Sequence, residues 1–170
     1  NKIHTLYTDA IVEIHNIIDD KIEGAGTGFL IDKKGLVVTN AHVIENAETI
    51  IVITKDNEKY EVTDYYQINN KKDYAILKIN PKGKNFQILH LGNSRDIKVG
   101  DDVIAVGNPM GYKYTVTSGI ISAKRIYENI EYLQIDADIA PGSSGGPLFN
   151  YKEEVIGITT SGIVGYSGLN

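Results

Sequence analysis

The chain has 170 residues, enough for one domain or two small halves sharing a core, and its 42% hydrophobic and 23% charged residues are those of a globular protein. With 17 basic against 22 acidic residues the net charge is -5, which argues against a broad nucleic-acid-binding surface; the pairs Lys33-Lys34, Lys71-Lys72 and Lys124-Arg125 read as solvated turn ends. The absence of Cys excludes disulfides, a thiol nucleophile and a Cys-ligated metal, and no apolar run reaches the roughly 18 residues of a membrane span.

Along the chain, short runs rich in Ile, Val and Tyr alternate with Gly, Asn, Asp and Lys pairs. Residues 10–18 alternate as a strand, with Ile11, Glu13 and His15 on one face and Val12, Ile14 and Asn16 on the other. Residues 28–32 and 36–39 flank the turn Lys33-Lys34-Gly35, a hairpin signature. Residues 49–54 and 60–68 flank Lys55-Asp56-Asn57-Glu58 as a second hairpin, and 74–79 form a buried run ended by Asn80-Pro81-Lys82-Gly83. Residues 81–100 carry few strand signals and read as the link between two halves. Further strands are expected over 102–106, 113–123, 130–136, 148–151 and 154–160. Helical periodicity is confined to a short turn over 41–47. So many short strands predict an all-β sandwich or barrel.

The segment Pro141-Gly142-Ser143-Ser144-Gly145-Gly146-Pro147-Leu148 sets a hydroxyl, Ser144, among glycines and prolines. Such a loop can aim several backbone N–H groups at one spot beside a hydroxyl, as an oxyanion hole requires. Taken alone it is equally a Gly/Ser surface loop. A serine nucleophile needs a base, and the base needs a group that holds its tautomer. Of the four His, His4 lies near the end, His15 lies in a strand and His90 lies in the link. His42 directly follows the run 36–39, in Thr39-Asn40-Ala41-His42-Val43-Ile44. Asp73 stands at the mouth of Tyr74-Ala75-Ile76-Leu77-Lys78-Ile79, where an acid can be partly desolvated while its oxygens accept hydrogen bonds; taken alone it reads as a turn residue. Together the three run in the order His, Asp, Ser, which is one of the known orders of a serine-hydrolase triad.

With these pieces the chain resembles a trypsin-like serine protease of the HtrA/DegP family. The resemblance rests on Gly26-Thr27-Gly28-Phe29-Leu30-Ile31, Thr39-Asn40-Ala41-His42-Val43-Ile44 and Asp73-Tyr74-Ala75-Ile76-Leu77-Lys78-Ile79. It continues in residues 100–109, 115–122, Gln134-Ile135-Asp136-Ala137, residues 141–148 and Glu154-Val155-Ile156-Gly157-Ile158. It implies two antiparallel six-stranded β-barrels with the active site in the cleft between them. Residues 1–90 would hold His42 and Asp73, residues 91–170 would hold Ser144, and the second barrel would be shortened at its C-terminal end. No peptide-binding PDZ domain is expected within the chain. His42 would be the general base and then acid, Asp73 its orienting partner and Ser144 the nucleophile. The N–H groups of Gly142 and Ser144 would be the oxyanion donors. Thr160 would support the triad Asp. Ile139 would line the pocket for the residue before the scissile bond, while Thr160, Ser161 and Gly162 would pair with the substrate backbone.

Two departures bear on regulation and specificity. The residue before the nucleophile is Ser143, where digestive trypsins carry an Asp that pairs with a freed N-terminus, so activation by that route is not expected. Instead Pro109-Met110-Gly111 and residues 138–142 are candidates for loops that order and disorder. Asp138 stands beside Ile139, and an acid at that position selects Lys or Arg in trypsin-type enzymes; the HtrA-like motif set favours an apolar pocket. The resemblance implies no cofactor and no metal, polypeptide substrates, no nucleic-acid or membrane contact by this domain, and possible trimers, with Tyr7 the one N-terminal aromatic available. It also implies an exported or cell-envelope location. Residues 1–9 show no signal-peptide pattern, and Asn1 leaves room for a removed upstream segment. A protease-like module that holds peptides but cuts them poorly is the competing reading.

Overall fold

Strand β1 (Ile11–Ile18) shows how the alternation becomes architecture. Its Val12 and Ile14 enter one core, while Ile11, on the opposite face, enters another. The computed structural model describes residues 7–108 and 114–160, together with the backbone of 163–165. Strands β2 (Lys21–Asp32), β3 (Leu36–Thr39), β4 (Thr49–Ile53), β5 (Lys59–Asn69) and β6 (Tyr74–Ile79) complete a first barrel in the order β1-β2-β3-β6-β5-β4. Strands β7 (Asp102–Gly107), β8 (Thr115–Tyr127), β9 (Ile130–Ile135), β10 (Pro147–Phe149), β11 (Val155–Thr160) and β12 (Ile163–Gly165) close a second barrel with the same relative order. Neighbouring strands pair antiparallel throughout both rings. Closure leaves neither sheet a free edge.

Each barrel is filled by its own apolar cluster, and a third cluster joins them. Val12, Ile14, Leu30, Leu77 and Ile79 belong to the first core; Val103, Ile121, Leu133, Leu148 and Ile156 belong to the second. The joining cluster takes Ile11, Phe29, Val38 and Tyr74 from the first barrel and Val106, Phe149, Val155 and Ile158 from the second. Phe29 and Phe149 are fully buried there, and each such side chain contributes about 1.5–3 kcal/mol through burial. The segment between the barrels is a strap rather than a loose tether. Phe86 packs edge-on against Tyr60 at 5.5 Å, the Leu89 N–H donates to the Leu30 carbonyl, and Leu91 forms a bridge with Val155. Tyr7 is also engaged within the chain: its ring stacks on Phe149 at 5.9 Å and its hydroxyl donates to Glu153.

Strand β2 begins seven residues earlier than the expected run at 28–32, and its residues from Lys21 to Phe29 make a hairpin with β1. The turn residues Asp19 and Asp20 both have positive φ, at 53° and 61°. Asp tolerates this conformation, but Asp-Asp is a weaker turn signal than Asn-Gly or Asp-Gly. Strand β12 also lay outside the expected set; its three residues close the second ring, which makes that ring's C-terminal end short. The expected helical turn is present as a 3₁₀ turn at Ala41–Ile44. No helix long and apolar enough to cross a membrane occurs among the described residues.

Candidate active site

The pairing of β3 with β6 sets Thr39 opposite Ala75, and so brings the residues after β3 beside those before β6. Asn40 leaves β3 extended and fully buried. Its amide Nδ2 donates to the Asp73 carbonyl at 2.8 Å. Asp73 itself has φ 55°, in the left-handed region that Asp enters more readily than most residues. That backbone turn directs its carboxylate at His42. Oδ1 accepts the His42 backbone N–H at 2.9 Å, and Oδ2 accepts the ring Nδ1–H at 2.7 Å. A carboxylate can only accept, so the pair fixes the proton on Nδ1 and leaves the Nε2 lone pair for chemistry. The pair is partly open, with side chains 46% and 30% exposed. The Asp73 hydrogen bond raises the His42 pKa above the usual 6.5; partial burial opposes this, and the charges of Asp73 and Glu45 add to the rise.

Ser144 stands on the loop before β10, at the other wall. Its carbonyl accepts the Thr27 N–H at 2.9 Å. Gly145 has φ 96°, and a Cβ there would lie 2.1 Å from the Thr27 carbonyl oxygen, so this position takes only glycine without displacement. From beneath, the buried Thr159 holds the loop: its hydroxyl donates to the Ser143 carbonyl at 3.1 Å, and its carbonyl accepts the Gly145 N–H at 2.9 Å. Gly142 has φ 87°. The N–H groups of Gly142 and Ser144 have no backbone acceptor among the described residues. His42, Gly142 and Ser144 line one cleft of about 340 Å³, walled also by Gly24, Ala25 and Glu45.

Ser144 also borders a second cavity of about 640 Å³, lined by Ile135, Ala137, Ile139 and Pro141 together with Asp136 and Asp138. Ile139 is partly buried against the second core, whereas Asp138 is exposed. Asp136 is occupied: its carboxylate accepts the Ile120 N–H at 2.7 Å. Ser143 is only 4% exposed, and its hydroxyl lies 3.5 Å from that of Thr115. A neutral hydroxyl therefore fills the position expected to lack an N-terminal charge partner.

The structure brings His42, Ser144, Gly142 and Ile139 to two adjoining cavities, with Asp73 held behind the His42 ring. Thr160 ends β11, paired with Ile163; no hydrogen bond joins it to Asp73 among the described residues, and Asn40 is the residue seen to hold that Asp. Ser161, Gly162 and Pro109-Met110-Gly111 lie outside the described residues. Asn40 and Thr159 were not singled out by sequence. Each sits inside a quoted motif or strand, but nothing in a side chain's identity says which carbonyl it will meet. His15 is engaged with Glu13 at 2.6 Å, and the His90 carbonyl accepts the Val155 N–H. No group of three or more His, Asp or Glu suited to a metal occurs among the described residues.

Comparison with known proteins gives the same outline. The family model for the trypsin-like peptidase domain matches residues 26–158. The chain is 42% identical over 149 residues to the putative serine protease HhoA of Synechocystis sp., covering 83% of this chain and 38% of the relative. It is 45% identical over 152 residues to the probable periplasmic serine endoprotease DegP-like of Chlamydia pneumoniae, covering 85% and 30%. The chain thus spans only 30% to 38% of the length of these two curated relatives. Among solved structures, Deg5 superposes with a TM-score of 0.85 at 31% identity, covering 96% of this chain and 86% of that one. The serine endoprotease from Yersinia pestis gives 0.82 at 35% identity, covering 98% and 61%.

Proposed function

The chain belongs to the trypsin-like serine peptidases of the HtrA/DegP type, and from that premise we propose that it cuts peptide bonds in unfolded or extended polypeptides through His42, Asp73 and Ser144. The observation that carries the reading is the two-point grip of the Asp73 carboxylate on His42, in a cleft that Ser144 shares. As Ser144 Oγ attacks the substrate carbonyl carbon, its proton passes to His42 Nε2. Asp73 stabilises the imidazolium so formed. The N–H groups of Gly142 and Ser144 receive the charge that grows on the carbonyl oxygen. The C–N bond then breaks as His42 returns the proton to the leaving amine. A water, deprotonated by the same His, then attacks the acyl carbon; the C–Oγ bond breaks, and His42 passes that proton to Ser144 Oγ as the acid leaves.

Ile139 and its apolar neighbours make the acyl-side pocket, which takes a small or medium apolar side chain; Asp138 stays solvated beside it. Past the end of β11, the backbone of Thr160, Ser161 and Gly162 would pair with an extended substrate. The name of the DegP-like relative includes "periplasmic", which supports an exported or envelope location here. Incubation with an unfolded protein tests the reading: the parent should release fragments and Ser144→Ala should release none. Equal release by both would remove Ser144 from the chemistry. Peptides ending the acyl half in Val, Leu or Arg test the pocket, and a clear Arg preference would reassign it to Asp138.

A further inference from the structure

The peptide between Gly142 and Ser143 joins the two peptide units whose N–H groups are proposed as oxyanion donors, so anchoring it limits how far either neighbour can turn. Gly142 has φ 87°, and glycine imposes little barrier against turning this peptide over. Something outside the loop has to hold it. The Ser143 N–H donates to the Ala140 carbonyl at 3.0 Å, which secures one side within the loop. The other side is secured from the opposite barrel. Thr27, on β2, donates its hydroxyl proton to the Gly142 carbonyl at 2.9 Å. The Thr27 hydroxyl oxygen in turn accepts the Asn108 N–H, just past β7, at 3.0 Å. Thr27 is fully buried, so no water competes for either bond. Its backbone is fixed as well: the N–H donates to the Ser144 carbonyl at 2.9 Å, and the carbonyl accepts the Thr39 hydroxyl at 2.7 Å.

We infer that Thr27 is a positioning residue: its buried hydroxyl, from the first barrel, pins the Gly142–Ser143 peptide of the second and so keeps the N–H groups of Gly142 and Ser144 turned to the cleft. This rests on the peptidase reading for its effect on rate, but the hold itself can be measured without activity. Valine has the shape of threonine and neither bond; serine keeps the hydroxyl.

The test compares Thr27→Val and Thr27→Ser on a cleavable peptide, with rates expressed per folded molecule. Thr27→Val should lower kcat by about 10–100-fold, less than or equal to the loss of a whole oxyanion donor. KM and the acid limb of the pH profile should not move, because the His42–Asp73 pair is held elsewhere. Thr27→Ser should stay within about threefold of the parent, by the same scale. Amide exchange over residues 140–146 should quicken in the Val variant and not in the Ser variant. A Ser variant as damaged as the Val variant, an unchanged kcat in Thr27→Val, or unchanged exchange would each overturn the inference. Should Thr27→Val not fold, Thr27→Ala replaces it, and the Ser variant still has to retain activity. A parent that neither cuts nor reacts with a fluorophosphonate would defeat the peptidase reading instead, and the exchange comparison would still decide the role of Thr27.

Discussion

In the first barrel Asp73 and His42, the proposed orienting acid and base, stand where paired strands end: β3 finishes at Thr39, β6 starts at Tyr74, and Thr39 faces Ala75 across the pair. In the second barrel the hydroxyl stands on a loop rich in glycine, ahead of a strand of only three residues. The two barrels have the same strand order, so the contrast does not come from topology. It comes from how each group is held. Asp73 and His42 are fixed by neighbours in their own sheet, together with Asn40. Ser144 is fixed by Thr159 beneath it and by Thr27 from across the interface. One half of the site is therefore organised by its own barrel, and the other half depends on the barrels being joined. A loop held mainly by a few tertiary bonds is the part of such a site that can be made conditional.

The contrast can be broken at either end. The largest effect is expected from Ser144→Ala, which should lower kcat by on the order of 10⁶ where chemistry is limiting. Asp73→Asn should lower it by about 10⁴, since an amide can hold the ring in the wrong tautomer. Both losses should leave thermal unfolding little changed, and steady-state rates beside a melting curve check this. Gly145→Ala attacks the holding of the loop instead. A Cβ there meets the Thr27 carbonyl and the Thr39 hydroxyl, at 2.1 and 2.5 Å. The loop must shift, and a loss of about 10²–10³ in kcat is expected, the scale of a lost oxyanion donor. Unlike the first two variants, this one should also lower the melting temperature.

The pH profile sharpens the comparison because it reports on the first barrel alone. As the proposed base, His42 can work only when neutral, and its pKa is raised by Asp73 and Glu45. Activity should therefore fall with acidification through a midpoint above 6.5. Glu45→Gln, which removes the smallest of the raising causes, should move that midpoint slightly downward. The linked stability runs the other way. The charged pair stabilises the fold below the unfolded-state pKa of His, and that contribution is lost as pH rises through the higher folded value. The smallest effect, none, is expected from a few extra residues at the N-terminus. Ser143 is buried without a charge to pair, so a several-fold loss of rate on extension would contradict the account.

The strands of the first barrel were readable because apolar alternation and turn residues agree there, as in the run before Lys33-Lys34-Gly35. The early half of β2 was not readable: Lys21-Ile22-Glu23-Gly24 carries little apolar signal, and its partner β1 supplies the pairing. Strand β12 has three residues, too few for a period to show. His42, Asp73 and Ser144 stand out in the sequence by order and motif, because the proposed chemistry needs side chains of those types. Asn40, Thr159 and Thr27 do not, since their importance lies in which carbonyl each reaches. That information resides in the register between strands and in the docking of two barrels. Asp73 illustrates both cases: its identity was legible, but its left-handed backbone, which turns the carboxylate toward His42, was not.

A fluorophosphonate adduct, located by peptide mass mapping in the parent and in His42→Ala, puts the account to its most direct test. One adduct on Ser144, formed at least about 100-fold more slowly without His42, is the predicted result, within the range general-base assistance supplies. No adduct on the folded parent, or equal labelling in both proteins, would mean that the base on one barrel does not activate the hydroxyl on the other.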